Sequence, residues 1–395
     1  MVEWKKLGDL GSYFGGLTGK TKEDFVDGNA KFITYMNVFS NPSLNTTSTG
    51  TVRIGVNEKQ NKLQKGDILF TGSSETPEEA GMSCVVTKDL EGDYYMNSFC
   101  FGIRVDYPEK YNLHYLKYIL RSNAVRKEAA KSASGVTRFN ISKSRFGKIL
   151  IPIPSLEEQE RIVGILDTFT ASIDNIKAQI EQRRKQYEHY RNTLLTFNKD
   201  DESVEWKTLG EIGEIIRGNG LQKTDFVEEG VGCVHYGQIY TRLGFSLDKT
   251  LTFVPKELAE KLTTVEPGNL IIACTSENIE DVCKSVVWLG NENIVTGGHA
   301  CVFKHHENPK YIGYCFLTHD FFNQKKKYAY GAKVIDIKTE KLSLIQIPLP
   351  SLARQQEIVS ILDTFEASIA NLEAQLEQRQ KQYEYYREEL LTNLS

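Results

Sequence analysis

The sequence predicts an α+β fold. Two globular domains of mixed helix and strand are joined by two long α-helices that form an antiparallel coiled coil. Three observations predict it. Residues 151–197 match 347–393 at about 31 of 47 positions. A weaker match, in the same order, lies upstream of each copy. Both copies carry apolar residues in 4-3-4-3 spacing, the mark of a coiled-coil seam. The chain therefore reads as domain, helix, domain, helix, with an internal pseudo-two-fold repeat at an offset of 196 residues. The expected boundaries are 1–150, 151–198, 199–346 and 347–395.

The first domain opens with VEWKKLGDLG (2–11), which pairs with VEWKTLGEIG (204–213). KGDILF (65–70) pairs with PGNLII (267–272), and NISKSRFGKILIPIPS (140–155) with DIKTEKLSLIQIPLPS (336–351). Short β-rich runs such as KFITYMNV, FCFGIRV and KSVVWLG are separated by Gly, Asn and Ser turns. One helical run is expected over 113–131 and a shorter one around 311–328. This is an α+β domain of about 150 residues, built twice.

The helical copies start at Pro154-Ser155 and Pro350-Ser351. Ser155 is an N-cap with Glu158 three residues on, a capping box; Ser351 faces Arg354 and keeps only the Ser cap. The first seam runs Ile162, Leu166, Phe169, Ile173, Ile176, Ile180, Arg183, Tyr187, Tyr190, Leu194. The second runs Ile358, Leu362, Phe365, Ile369, Leu372, Leu376, Arg379, Tyr383, Tyr386, Leu390. Both place Arg at the same step, a polar seam position that fixes register. Each helix of ~40 residues is ~60 Å long at 1.5 Å per residue. The two helices are expected to pair with each other rather than with another subunit. Val2 aligns with Val204 and Ser395 with Lys199, so the ends of the chain are expected to lie close together.

Composition is that of an ordinary globular protein: 40% hydrophobic, 25% charged, net charge −4. No run approaches a membrane span, and the start lacks the pattern of a signal peptide. Seven cysteines without a CxxC pair are expected to be buried small hydrophobes in a reducing, cytoplasmic setting.

GGLTGKT (15–21) is not a P-loop, because Phe14 stands where the first Gly is needed. No GxGxxG follows a strand, and the histidines show no metal-ligand spacing. No Ser/His/Asp set can be nominated. A binding protein without catalytic residues, cofactor or metal is expected.

One positive signal precedes each long helix. Residues 121–148 hold Arg121, Arg126, Lys127, Lys131, Arg138, Lys143, Arg145 and Lys148 against Glu128 alone. Residues 322–341 hold Lys325, Lys326, Lys327, Lys333, Lys338 and Lys341 against Asp336 and Glu340. Either patch alone is as well explained by a solvated helix face. Recurrence at matched positions points to a polyanion, with phosphate contacts at Arg126, Lys127, Lys131, Arg138, Lys143, Lys325, Lys326, Lys333 and Lys338. Lys20, Lys22 and Lys223, beside the glycine-rich turns, join them as phosphate candidates. Base readout needs polar or aromatic side chains on loops. The candidates are Tyr35, Asn37, Ser73, Ser74, Thr137 and Asn140 in the first domain. In the second they are Tyr236, Gln238, Thr275, Ser276 and Asn278. An ordinary capped turn is the alternative at each.

IPIPSLEEQERIVGILD, IPLPSLARQQEIVSILD, GDIL (66–69) and the EWKxLG starts at Glu3 and Glu205 carry a family resemblance. Over its whole length the chain resembles the specificity (S) subunit of type I restriction–modification systems. The resemblance implies two target-recognition domains, each reading one half of an asymmetric, bipartite double-stranded DNA target. It implies that the coiled coil sets the spacer, and that modification (M) subunits, two of them, and restriction (R) subunits assemble around it. It implies that catalysis resides in those partners. Two alternatives remain at this stage: a specificity partner of a fused nuclease–methyltransferase, and a coiled-coil scaffold that binds no DNA.

Overall fold

The structure, a computed structural model, describes residues 2–392. It divides into two compact units: residues up to Ala178 together with those from Ala374, and residues Gln179–Glu373. The expectation for the chain ends rests on Ser395, which lies outside the described residues.

In the first unit the main sheet is antiparallel, in the order Gly11–Gly15, Cys100–Val105, Asp67–Thr71, Ser83–Val85. The strand Asp67–Thr71 is buried at all five positions, as a short apolar run bounded by turns should be. Its one charge, Asp67, is gripped by the Arg104 guanidinium at 3.0 and 2.9 Å. A second sheet orders Gly50–Val52, Ala30–Ile33 and Tyr94–Met96, the last two parallel. The core joins Ile68, Phe70, Phe101, Tyr115 and Phe146 to Ile162, Leu166 and Leu391 of the long helices. The helix ends are thus part of the domain core rather than an appendage to it.

The second unit repeats the plan with longer sheets. One orders Gly213–Arg217, Ala300–His305, Leu270–Ala273, Ser285–Trp288 and Ser246–Leu247. The other orders Thr252–Val254, Val231–Val234, Ile294–Thr296 and Thr263–Val265. Its core joins Leu270, Ile272, Phe303, Tyr311 and Tyr314 to Leu195, Ile358 and Leu362.

Each unit attaches its long helix through the same set of contacts. Glu3–Lys6 pairs with Leu150–Ile153, and Glu205–Thr208 with Gln346–Leu349. The first residues of the expected helical segments are therefore strand. Their prolines are tolerated because each ribbon has only two strands. Tyr115 donates its hydroxyl to the Pro152 carbonyl at 2.8 Å, and Tyr311 to Pro348 at 2.8 Å. Gln159 is buried; its Oε1 accepts from Asn112 N and its Nε2 donates to the Pro154 carbonyl, both at 2.8 Å. Gln355 does the same with Asn308 N at 3.1 Å and Pro350 O at 3.0 Å. About two turns later Asp167 accepts from the Tyr118 hydroxyl at 2.5 Å and Lys117 at 2.9 Å. Asp363 accepts from Lys310 at 2.8 Å and Tyr314 at 3.3 Å. Burial alone would raise the Asp167 carboxyl, but these donors hold it below the usual range. Burial and the same carboxylate keep the Tyr118 phenol protonated.

The long helices span Leu156–Leu194 and Leu352–Thr392. In the first unit Phe169 stacks on Tyr386 at 5.3 Å and lies under Arg379 at 5.6 Å. In the second, Phe365 stacks on Tyr190 at 5.1 Å and lies under Arg183 at 5.7 Å. Arg184 meets Glu373 at 2.6 Å and Tyr187 meets Glu366 at 3.0 Å, so partner numbers fall as the first helix advances: the pairing is antiparallel. The seam arginines are cation–π partners of the seam phenylalanines, which explains their shared step. Ile162, Leu166, Ile173, Ile180, Ile358 and Leu362 are buried; Ile176, Ile369, Leu372 and Leu376 are half-buried.

Four details differ from the sequence reading. Ser155 and Ser351 do cap, accepting from Glu158 N and Arg354 N, but the Glu158 carboxylate turns to Arg161 at 2.7 Å. The hydrogen bond from Arg161 outweighs partial burial and holds that carboxyl below its usual range. The helical run 113–131 is two helices, Leu113–Ile119 and Asn123–Ser132, because Ser122 caps a new start. Thr318 likewise divides Pro309–Cys315 from His319–Tyr328. Among the cysteines, Cys274 and Cys301 form a disulfide, where all seven were expected unpaired. Strand pairing of Ile272 with Cys301 and Ala273 with Ala300 brings their Cα atoms to 6.3 Å, within bonding range. Cys84, Cys100, Cys233, Cys283 and Cys315 are free and buried.

Candidate nucleic-acid interface

In the first unit the helix Asn123–Ser132 runs straight into a hairpin. Ala133–Ser134 pairs with Asn140–Ile141, and Phe139–Asn140 pairs with Ser73–Ser74. Gly135 makes the turn possible: its φ is 156°, and a Cβ there would sit 1.9 Å from the Arg138 carbonyl oxygen. Tyr35 ties the platform to its neighbouring helix by donating to the Ser73 carbonyl at 2.7 Å. Between hairpin, platform and helix lies a cavity of about 360 Å³, lined by Tyr35, Met36, Phe39, Ser73, Ser74, Glu75, Glu79, Phe99 and Arg138.

The second unit builds the same device. Ile335–Asp336 pairs with Thr275–Ser276, and Gly331, with φ of 117°, closes a turn whose Val334 carbonyl lies 1.9 Å from its Cβ position. Tyr240 donates to the Thr275 carbonyl at 2.7 Å. Arg217 grips Asp336 at 3.0 and 2.7 Å, bracing the hairpin base.

The structure sorts the expected residues. Tyr35, Ser73, Ser74 and Arg138 come together at the cavity, with Thr137 and Asn140 exposed on the hairpin beside it. Lys22, Lys127, Lys131, Lys143, Lys223, Lys326, Lys333 and Lys338 are exposed. Lys131 pairs with Glu128 at 2.6 Å, Lys143 lies over Phe101, and Lys338 lies over Tyr330. Ser276 and Tyr236 are half-buried, Tyr236 packing against His235 at 4.6 Å and His299 at 4.9 Å.

Other expected residues are engaged by the protein itself, most of them facing inward. Arg126 donates to the carbonyls of Gly81 at 2.7 Å and Ala80 at 2.8 Å. Lys325 is buried and donates to Glu280 O at 2.8 Å and Val282 O at 2.6 Å. Both pin the loop that follows the platform strand, and burial lowers the pKa of each. Arg121 is spent in the same way on Val38, Phe39, Asn41 and Ser83 carbonyls, and burial brings its pKa down to about 10. Lys20 is held by Glu58 and the Arg53 carbonyl, both at 2.6 Å. Asn37 is buried and donates to Asn45 O and Ser48 O at 2.7 Å. Gln238 accepts from His235 N, capping its helix. Thr275 is buried, the Ser74 hydroxyl donates to Thr76 O, and Asn278 closes a turn onto Asp281. A polar side chain occupied by its own backbone is unavailable to a base edge.

The sequence reading did not single out three apolar residues exposed at the cavity and hairpin, Met36, Phe99 and Val136, which are 58%, 58% and 91% exposed. It also missed the hairpin. The available signal was the aligned pair GVTRFNIS and GAKVIDIK at the same 196-residue offset, each opening on Gly.

A family model described as the type I restriction modification DNA specificity domain matches residues 1–183 and again residues 202–380. The chain belongs to this family. Its two specificity domains each contain one hairpin, one platform and one helix junction. The chain is 35% identical over 262 residues to the EcoR124I/EcoR124II specificity subunit of Escherichia coli, covering 62% of this chain and 63% of that protein. It is 25% identical over 291 residues to the MjaVIII specificity subunit of Methanocaldococcus jannaschii, 68% of this chain and 66% of that one. The match thus spans a little under two thirds of each of these relatives.

Solved structures extend the likeness of fold along the whole chain. One, described as the structural basis of complex assembly and conformational transition of the type I R-M system, aligns with TM-score 0.66 at 17% identity, covering 99% of this chain and 98% of that one. The HsdS subunit from Thermoanaerobacter tengcongensis aligns with TM-score 0.54 at 17% identity, covering 99% and 97%. Among the described residues, no helix is long and apolar enough to cross a membrane.

Proposed function

We propose that the chain is the DNA sequence-specificity subunit of a type I restriction–modification enzyme. It recognises an asymmetric, bipartite duplex target, one half-site per specificity domain, while the coiled coil sets the spacer. It is a non-catalytic, cytoplasmic scaffold around which two modification subunits and the restriction subunits assemble. The carrying observation is the match of one specificity-domain model to both halves of the chain, each half holding its own basic, exposed hairpin region. The hairpins differ in their tips while their bases match, so the two half-sites differ. Exposed lysines around each hairpin supply salt-dependent affinity for the phosphate backbone.

Methylome sequencing of a host with and without this gene tests the reading. The expected result is loss of one bipartite, asymmetric motif. An unchanged methylome, together with reconstituted complexes that methylate all duplexes alike, overturns it.

A further inference from the structure

We propose that the turns at 135–138 and 331–334 are the base-reading fingers of the two specificity domains, and that Arg138 reads a guanine of the first half-site. This rests on the function proposed above and assigns the reading within it.

The two turns are built alike. Both turns are forced by a glycine that no other residue can replace without meeting a carbonyl oxygen, and both are mounted on a platform strand: the first through a two-stranded base, the second through Ile335–Asp336, to which a single bridge ties Tyr330. The base is retained between the copies: Phe139 and Ile335 occupy one position, Ile141 and Ile337 another. The tips are not. Val136-Thr137-Arg138 stands where the second domain has Ala332-Lys333-Val334. All six tip residues are exposed, and among the described residues no hydrogen bond joins their side chains to the domain. A rigid mount with a changeable, unengaged tip is what a reader of different sequences needs.

The surroundings of Arg138 suit a base edge better than a phosphate. Val136 is 91% exposed, and Met36 and Phe99 are exposed around the cavity that Arg138 lines. Apolar surface beside a guanidinium matches the major groove, where thymine methyls lie next to the paired guanine acceptors O6 and N7. Glu75 and Glu79 line the same cavity, so it is not a simple cationic patch and disfavours phosphate. A carboxylate there accepts from the amino group of cytosine, the partner of the guanine. Phosphate contacts fall instead to the flanking Lys127, Lys131 and Lys143, on the helix before the hairpin and the turn after it. In the second domain Lys333 takes the guanine-reading role, with Val334 against a thymine methyl.

The test uses the chain reconstituted with its modification subunits, reading methylation of duplexes that carry every single-base change in the wild-type motif. Arg138→Ala should lower discrimination at one G·C pair of the first half-site by about 10- to 100-fold. The other positions and the second half-site should keep their preferences. Replacing Val136-Thr137-Arg138 by the tip Ala-Lys-Val should change the first half-site and leave the second intact. Both changes are at exposed side chains, and equal melting midpoints confirm folding. If wild-type complexes show no motif, the functional reading itself fails. If the motif is present and both variants keep it unchanged, this proposal fails. Uniform weakening over all duplexes, with a shallower salt dependence, marks Arg138 as a phosphate contact and also overturns it.

Discussion

The side-chain oxygen of Gln159 accepts the backbone N–H of Asn112 at 2.8 Å, while its amide donates to Pro154 at 2.8 Å. One buried glutamine thereby closes the start of a domain helix onto the start of the long helix. Gln355 repeats the bond with Asn308 in the second unit. The recurring PSLxxQ stretch is therefore a latch. Its repetition records that each specificity domain is fixed to its helix in the same way.

Gln159→Leu keeps the volume but leaves the part-buried Asn112 N–H and the buried Pro154 carbonyl unpaired. It should destabilise the protein by about 1–3 kcal/mol, the cost of the orphaned buried carbonyl, since water can reach the part-buried N–H. Chemical denaturation measures this. A midpoint shift no larger than that of an exposed surface substitution would show that the latch contributes nothing.

Glu158 pairs with Arg161 in the first helix, and Arg354 with Glu357 in the second, each at 2.7 Å. The copies carry the same ion pair with its charges exchanged. The double change E158R/R161E should therefore leave the stability within about 0.5 kcal/mol of wild type, the scale of an exposed pair. Glu158→Arg alone, which faces Arg161 with a like charge, should be the less stable of the two. The opposite ranking in thermal melts refutes the exchange.

Leu362 is fully buried in the core of its unit, whereas Ile176 is half-buried in the seam. Leu362→Ala should cost about 2–5 kcal/mol. Ile176→Ala should cost distinctly less, because part of its surface already meets water. Equal losses in urea unfolding would mean that the helix ends are not part of the domain cores.

Lys325 and Lys326 are sequence neighbours with opposite environments. Lys325→Met should destabilise the fold and leave the salt dependence of DNA binding by the assembled complex unchanged. Lys326→Ala should leave stability unchanged and, where it meets a phosphate, reduce the slope of log K against log salt by about 0.9. A reduced slope in the first variant would return Lys325 to the phosphate contacts.

The domain plan, the coiled coil and its antiparallel partner were legible in the sequence. Repeats and heptads are patterns within a covalent chain, and a 196-residue offset is visible without any contact. The splitting of the helical runs at Ser122 and Thr318 was legible in principle, since both are N-cap residues. What only the tertiary structure decided is which polar residues are free. Arg126 and Lys325 looked like Lys127 and Lys326, but the loop carbonyls that capture them lie 43 or more residues away in sequence. The disulfide of Cys274 with Cys301 likewise depends on strand register; Asn37 and Gln238, by contrast, are taken up by partners in their own loop or helix start, 8 and 3 residues away. Periodicity along a chain determines which face of an element is apolar. The partner of a single cation is determined only when distant segments meet, and that is a property of the folded packing.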